Sequence, residues 1–182
     1  MSRLARLRTY MTAQHIDVAV FVPGSNLRYL SGIGFSTKLR LACLIVPLEG
    51  TPAIVLPTME APRAQAQAQF PLTVYGWDDD AGPAHAVATA FAALGITGGT
   101  IAVEHVVMRV FELRAIEAAL PAATIVNADP LIAQLRMHKT ADELAVDVRL
   151  GDAWPIGVLF DVKCVRCVCV CVCVCVCVVK YI

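Results

Sequence analysis

The stretch "RLACLIVPLEGTPAIVLP", Arg40 to Pro57, decides the reading of the fold. Two short apolar runs rich in β-branched residues flank Glu49 and Gly50, the pattern of two strands joined as a hairpin-like pair. Working outward, the same punctuation recurs on both sides. Arg3 to Gln14 sets Leu4, Leu7, Tyr10 and Met11 at helical spacing, "DVAVFV" follows as a strand, and "PGSN" breaks it. Ser25 or Asn26 is placed to cap a short helix through Tyr29 that stops at Ser31 and Gly32. Beyond Pro57, Met59 to Gln69 reads as helix, "LTVYGW" as strand, Pro83 to Leu94 as helix and "TIAVE" as strand. Val110 to Leu120 is predicted as a helix with Val110, Leu113 and Ile116 inward, and "ATIVNA" as a strand. Asp129 is then expected to cap a helix with Leu131, Ile132 and Leu135 apolar. Strands alternating with helices imply an α/β layered domain.

Composition narrows the function classes. A length of 182 residues allows one good-sized domain or two small ones, and one is the default. Fifteen basic and fifteen acidic side chains cancel, and no basic stripe interleaves with aromatics, so no nucleic-acid partner is expected. The first residues lack the apolar core of a signal peptide, because Gln14, His15 and Asp17 interrupt it. Seven of the eight cysteines fall between Cys164 and Cys177, leaving Cys43 as the one cysteine of the body. That body is typical of a reducing compartment, and a cytoplasmic location is expected.

Several motifs in order carry a resemblance. "NLRYLSG", then an Arg followed by "LIVPLEGTPAIVLP", then "AVE", then "AALPAATIVNADPLIAQLRMHKTADEL" resemble the N-terminal domain of the creatinase, prolidase and aminopeptidase P family over about residues 3 to 144. "LRMHKTADEL", Leu135 to Leu144, is similar to that family's junction into the catalytic domain. The resemblance implies an α/β fold, a layered mixed sheet with helices on both faces related to the ribonuclease H-like motif. It also implies a role in subunit association and in shaping the substrate entrance, with a homodimer or a catalytic-domain partner. In the loop after "YLSG", Phe35 and Arg40 are the candidates to line that entrance, Arg40 by gripping a substrate carboxylate. The competing reading packs Phe35 under its loop and pairs Arg40 with a surface acid.

In that family a second domain, with two Asp, one His and two Glu, holds two divalent metals that activate water. Here no Glu and no His follow Leu144, only Asp147, Asp152 and Asp161 in 38 residues. The expectation is a creatinase N-terminal-like domain over residues 1–138, a junction and aberrant linker over 139–163, and a low-complexity tail over 164–182. No catalytic residue, metal or cofactor is assigned to the chain itself. A stand-alone peptide- or protein-binding module, like the peptidase-like domain of the FACT histone chaperone, is the alternative.

The tail alternates Val and Cys through "CVCVCVCVCVCVV", Cys167 to Val179. A repeated GT dinucleotide reads as Val-Cys in every frame of that strand, so the tail reads as translated low-complexity DNA from a frameshift, a truncation or a sequence-assembly artefact. Cys164 and Cys167 form half of a thiolate site, but same-face sulfurs on a strand lie about 6.6 Å apart, too far to share one ion. As a helix the thirteen residues span about 20 Å, short of a bilayer core of about 30 Å, and no membrane partner is expected.

The remaining candidates are weaker. "WDDD", Trp77 to Asp80, reads as a solvated loop rather than a cation site. His15, His85, His105 and His138 are scattered without a helical metal spacing, and "GITGGT" precedes a strand and so is a turn, not a phosphate loop. Glu104 is expected to pair with a nearby Arg at the end of its strand. Cys43 is expected to be a buried, inert thiol.

Overall fold

In the computed structural model, residues 1–35 and 39–137 are described, with Lys139 and Leu144 as isolated positions. The expectations for His138, for the linker and for the Val/Cys tail lie outside the described residues. The apolar runs become six strands: β1 (Val18–Phe21), β2 (Cys43–Pro47), β3 (Ala53–Pro57), β4 (Thr73–Trp77), β5 (Gly99–Val103) and β6 (Ala123–Asn127). Between them lie α1 (Arg3–Ala13), α2 (Ser25–Ser31), α3 (Ala61–Gln67), α4 (Ala84–Ala93), α5 (Val110–Ala119) and α6 (Asp129–Met137). A 3₁₀ turn, Thr58–Glu60, takes the first residues assigned to the third helix, and Pro62 follows in the first turn of α3, where its missing N–H costs nothing.

The strand order is β4-β3-β2-β1-β5-β6. The Arg40–Pro57 stretch does form an antiparallel pair, with Cys43 opposite Val55 and Ile45 opposite Ala53. β2 is also antiparallel to β1, whereas β3–β4, β1–β5 and β5–β6 are parallel, so β2 runs against the other five and the sheet is mixed. The chain divides into two units, Met1–Ile132 and Ala133–Ile182, and the sheet with its core belongs to the first.

Both faces of the central strands are covered, which is why β1, β2 and β3 are apolar without a break. On one face, Val18, Val20, Cys43, Ile45, Val55, Ile101 and Val103 pack against Val87, Ala90 and Phe91 of α4 and Ile116 of α5. The alternate residues, Ala19, Phe21, Leu44, Val46, Ile54 and Leu56, are just as buried and point the other way. That second face is closed by Leu7 and Met11 of α1 and Leu27 and Leu30 of α2. Arg8 of α1 donates from Nε to the Pro47 carbonyl at 3.1 Å and from its terminal nitrogen to the Gly50 carbonyl, tying the helix to the hairpin connection.

Three local assignments need correction. Val110 does not face inward; it is 71% exposed, and the buried stripe of α5 is Glu112, Ile116 and Leu120. Ile116 is buried and Leu113 packs partly against the core, as expected, and Glu112, also buried, accepts from Arg109. At α2 the N-cap is Gly24, with no side-chain cap; the Asn26 amide is committed elsewhere, as described below. At α6 the Asn127 Oδ1 accepts from the Asp129 N–H at 2.8 Å, so the side chain that serves the start of the helix is two residues earlier than expected. Leu131, Ile132 and Leu135 are buried, as their spacing predicted.

Candidate functional site

The loop carrying Phe35 and Arg40 begins where α2 is stopped by force of geometry. Ser31 Oγ donates to the Leu27 carbonyl at 2.7 Å and accepts from the Ile33 N–H at 3.2 Å, so one hydroxyl serves both the last turn and the exit. Gly32 follows in the left-handed region at φ 79°, and a Cβ there would lie 2.8 Å from the Gln67 carbonyl oxygen. Only glycine fits both the dihedral and the space. The exit strand is then held to the α3 end: Gln69 N–H donates to Ser31 O at 2.9 Å, and Gly34 N–H to Gln67 Oε1 at 2.9 Å. Ile33 is fully buried and Phe35 half-buried. Ser36 to Lys38 lie outside the described residues.

Arg40 re-enters the described chain beside the hairpin, anchored to quite different partners. Its Nε donates to Asp79 Oδ1 at 2.8 Å, a terminal nitrogen donates to Asp79 Oδ2, and the other lies 3.6 Å from Met59 Sδ. Both charges are open to water, with side-chain exposures of 44% and 62%. The hydrogen bond from Arg40 holds the Asp79 carboxyl below its usual range, and the same bond raises the guanidinium. Asp79 belongs to the "WDDD" run, whose Trp77 is committed to structure: its Nε1 donates to the Leu41 carbonyl at 3.0 Å. Arg109 completes the loop, donating to the Arg40 carbonyl at 3.1 Å and, from Nε, to Glu112 at 2.7 Å. The sequence did carry a faint signal for this last pair, a Glu three residues after a helix start, but Arg is not a capping residue type.

Glu104 is the largest surprise. It is 1% exposed, and the expected Arg partner is replaced by two neutral donors: Val22 N–H to Oε2 at 2.7 Å and Asn26 Nδ2 to Oε1 at 2.8 Å. Burial raises its carboxyl pKa, these two hydrogen bonds pull back, and the charge of Asp129 adds to the rise. The position explains the arrangement. β1 and β5 are adjacent and parallel, but the chain leaves β1 for the α2 face and β5 for the α5 face, which makes the crevice where open α/β sheets bind ligands. Here Glu104 and Asn26 fill it, so two of the sequence motifs, "NLRYLSG" and "AVE", meet as a structural lock.

The other candidates sit in plain structural settings. Cys43 is fully buried, and burial, with Glu112 adding to it, pushes its thiol up to about 12, which keeps it a thiol. His85 lies 3.5 Å from Thr89 Oγ1 on α4, and His15 takes a left-handed φ of 54° just after α1. Among the described residues no group of three His, Cys, Asp or Glu side chains is gathered so as to hold a metal ion. No helix of the described residues is long and apolar enough to cross a membrane.

Comparison with known proteins follows these motifs. The family described as creatinase/prolidase N-terminal domain matches residues 3–138. The probable dipeptidase PepE of Mycobacterium tuberculosis H37Rv is 41% identical over 66 residues, 35% of this chain and 18% of that protein. The dipeptidase PepE from Mycobacterium ulcerans superposes with a TM-score of 0.71 at 31% identity, covering 83% of this chain and 40% of its own. A proline dipeptidase structure from Streptococcus pneumoniae TIGR4 has a TM-score of 0.68 at 26% identity, and the match covers 76% of this chain and the whole of that one. The chain thus spans well under half the length of the PepE structure it matches. It belongs to the creatinase/prolidase N-terminal domain family.

Proposed function

We propose that the chain acts as the non-catalytic N-terminal domain of an Xaa-Pro peptidase- or creatinase-like protein, contributing subunit association and part of a substrate entrance. The observation that carries this reading is the coverage: a solved chain is matched over 100% of its length by this fold, while the longer PepE dipeptidase is matched over 40%. In this proposal residues 1–138 are the domain, 139–163 a junction and linker, and 164–182 a tail that arose by frameshift or truncation. Phe35 and Arg40 are the entrance residues. Arg40 is suited to the task because Asp79 is an exposed partner that a substrate carboxylate can replace in the same two-point geometry. A cytoplasmic location goes with it, supported by a body whose one cysteine is a buried free thiol.

A second reading, a stand-alone peptide-binding module, draws on one feature. An open cavity of about 450 Å³, lined by Gln65, Ala68, Gln69, Phe70, Pro71 and Leu72, lies beside the Gln67 that holds Gly34. Its mix of amide and apolar lining would suit a short extended peptide.

One assay addresses the first reading. The chain is incubated with Xaa-Pro dipeptides and with creatine, in turn with manganese, cobalt and zinc, and release of proline or of the amide product is followed. No turnover is expected. Turnover that copurifies with the chain and vanishes with chelator would overturn the proposal. Reading the coding DNA past Leu144 in the other two frames tests the origin of the tail, because a frameshift predicts the missing carboxylate and histidine ligands there.

A further inference from the structure

β4 is an edge strand, and no described strand lies beyond it. The Thr73 N–H donates to the Pro52 carbonyl at 2.9 Å and Thr73 stands opposite Ala53, so Thr73, Tyr75 and Trp77 turn their backbone groups to β3. Val74 and Gly76, in between, each turn an N–H and a C=O to the open side. Proteins usually blunt such an edge with a charge, a proline or a bulge. Thr73–Trp77 carries no charge and no proline, its register with β3 runs without a break, and Thr73 and Gly76 are exposed. The two ends of the strand differ. Before Thr73 opens the cavity of about 450 Å³, with Phe70, Pro71 and Leu72 in its lining. After Trp77 come Asp78 and Asp80, both exposed, with Asp79 between them held by Arg40.

We propose that β4 takes up an extended peptide as an added antiparallel strand, with an apolar side chain of the peptide at the cavity and a basic one at Asp78 and Asp80. The inference deepens the peptide-binding reading above and rests on it. The backbone sets the class of ligand, because outward N–H and C=O groups on alternate residues are satisfied together by another extended chain. Antiparallel addition places a closely spaced pair of hydrogen bonds opposite Val74 and another opposite Gly76, and it is the more stable of the two pairings. Charge sets the side chains. The cavity lining is amide and apolar without a charged group, whereas the other end of the strand is acidic, so the apolar anchor belongs at the first and the basic anchor at the second. Four rises of about 3.3 Å separate Thr73 from Trp77, which sets the two anchors about five residues apart along the peptide. The peptide runs from its basic to its apolar end, opposite in direction to β4.

The probe is the fluorescein-labelled, C-terminally amidated peptide Lys-Lys-Thr-Val-Thr-Val-Leu, titrated with the full chain in reductant and followed by fluorescence anisotropy. Saturable binding is expected. N-methylation of both threonines, which face Gly76 and Val74, should weaken it about tenfold or more. N-methylation of both valines, whose N–H groups point away from β4, should leave it within about threefold. Val74→Pro removes an outward donor without touching a bond to β3, and an edge position of this kind accepts proline. It should weaken binding by a similar factor, with far-UV circular dichroism and a thermal melt to check the fold; if it unfolds, the two methylated peptides give the answer on the wild type. The double variant Asp78→Asn, Asp80→Asn should weaken binding and flatten its dependence on salt. Equal binding by the two methylated peptides overturns the strand pairing and leaves the cavity reading standing. A folded Val74→Pro chain that binds the peptide unchanged but sediments as a smaller species than the wild type gives the edge to a second copy and overturns the proposal. No saturable binding at high micromolar chain concentration overturns both the edge and the peptide-binding reading.

Discussion

Glu104 and Asp79 are both carboxylates that accept two hydrogen bonds at the same end of the sheet, yet they behave in opposite ways. Glu104 is buried and receives neutral donors, a backbone N–H and an amide. Its pKa is raised, because two neutral dipoles do not replace the water that burial removed. Asp79 is open to water and receives a guanidinium, and its pKa is lowered. Burial therefore works against the charge of Glu104, whereas the Arg40 hydrogen bond favours the charge of Asp79, which stays open to water. Only the second kind is suited to meeting a ligand or another subunit.

The sharpest way to break the comparison is to remove the buried acceptor. Glu104→Ala leaves the Val22 N–H and the Asn26 amide facing each other in a dry crevice, and each unsatisfied donor costs about 1–3 kcal/mol. A loss of about 2–4 kcal/mol in urea unfolding is expected. Glu104→Gln should cost about half as much, since its oxygen still accepts one bond while its own amide opposes the other donor. A loss below about 0.5 kcal/mol for the alanine variant would mean that water reaches the crevice and that the lock is no lock.

Next in size is Gly32→Ala, at the exit from α2. The left-handed dihedral strains any other residue by about 1–2 kcal/mol, and here the added Cβ would also meet the Gln67 carbonyl oxygen at 2.8 Å. Gly50 separates the two causes. Its φ is 86° but no atom lies within 4 Å of its would-be Cβ, so Gly50→Ala should show the dihedral strain without the clash. Equal losses at both positions in the same denaturation experiment would show that the α3 end gives way and does not hold the loop.

How much of this could be read beforehand depends on chain distance. The hairpin, the order of helices and strands and the stop at Ser31–Gly32 are written in neighbouring residues, where periodicity and turn chemistry act. The pairing of Asn26 with Glu104 spans 78 positions, and that of Arg40 with Asp79 spans 39. Both depend on strand order, since β1 must lie beside β5, and β3 beside β4, before either pair can meet. Residue types at the strand ends announce that a partner is needed, not which one, and this is why Glu104 was assigned an Arg. Val110 failed for a related reason. Its spacing suits a buried stripe, and Leu113 and Ile116 of that stripe do pack on the core, but Val110 is the first residue of the helix and stands exposed.

A smaller effect is the pH dependence of the buried group. Glu104 binds its proton more tightly folded than unfolded, so in the window from the ordinary value of 4.5 up to its raised value the native state carries more protons. Stability from this group is therefore full below that window and falls as pH rises through it, by at most about 1.4 kcal/mol per pH unit. Glu104→Gln cannot titrate, so the wild type minus variant difference in unfolding free energy should decline over that window and level off above it. A difference that rises with pH would mean that a cation faces Glu104.

The smallest expected effect belongs to the exposed pair. Arg40→Ala should leave the urea midpoint where it is, because an ion pair in water gains little over its solvated partners. What should move is Asp79. Held low by Arg40, it contributes stability above its ordinary value that is lost as pH falls through the lowered one, and the variant should return it to the ordinary carboxylate range in an NMR titration of the side-chain carboxyl. If Asp79 stays low in the variant, some other cation holds it, and Arg40 is not poised between partners. If it returns while stability is unchanged, the guanidinium is free to exchange Asp79 for another carboxylate at little cost to the fold. That freedom is the property the buried pair lacks, and it is the ground on which the entrance role is proposed for the Arg40 end of the sheet and not for the crevice that Glu104 fills.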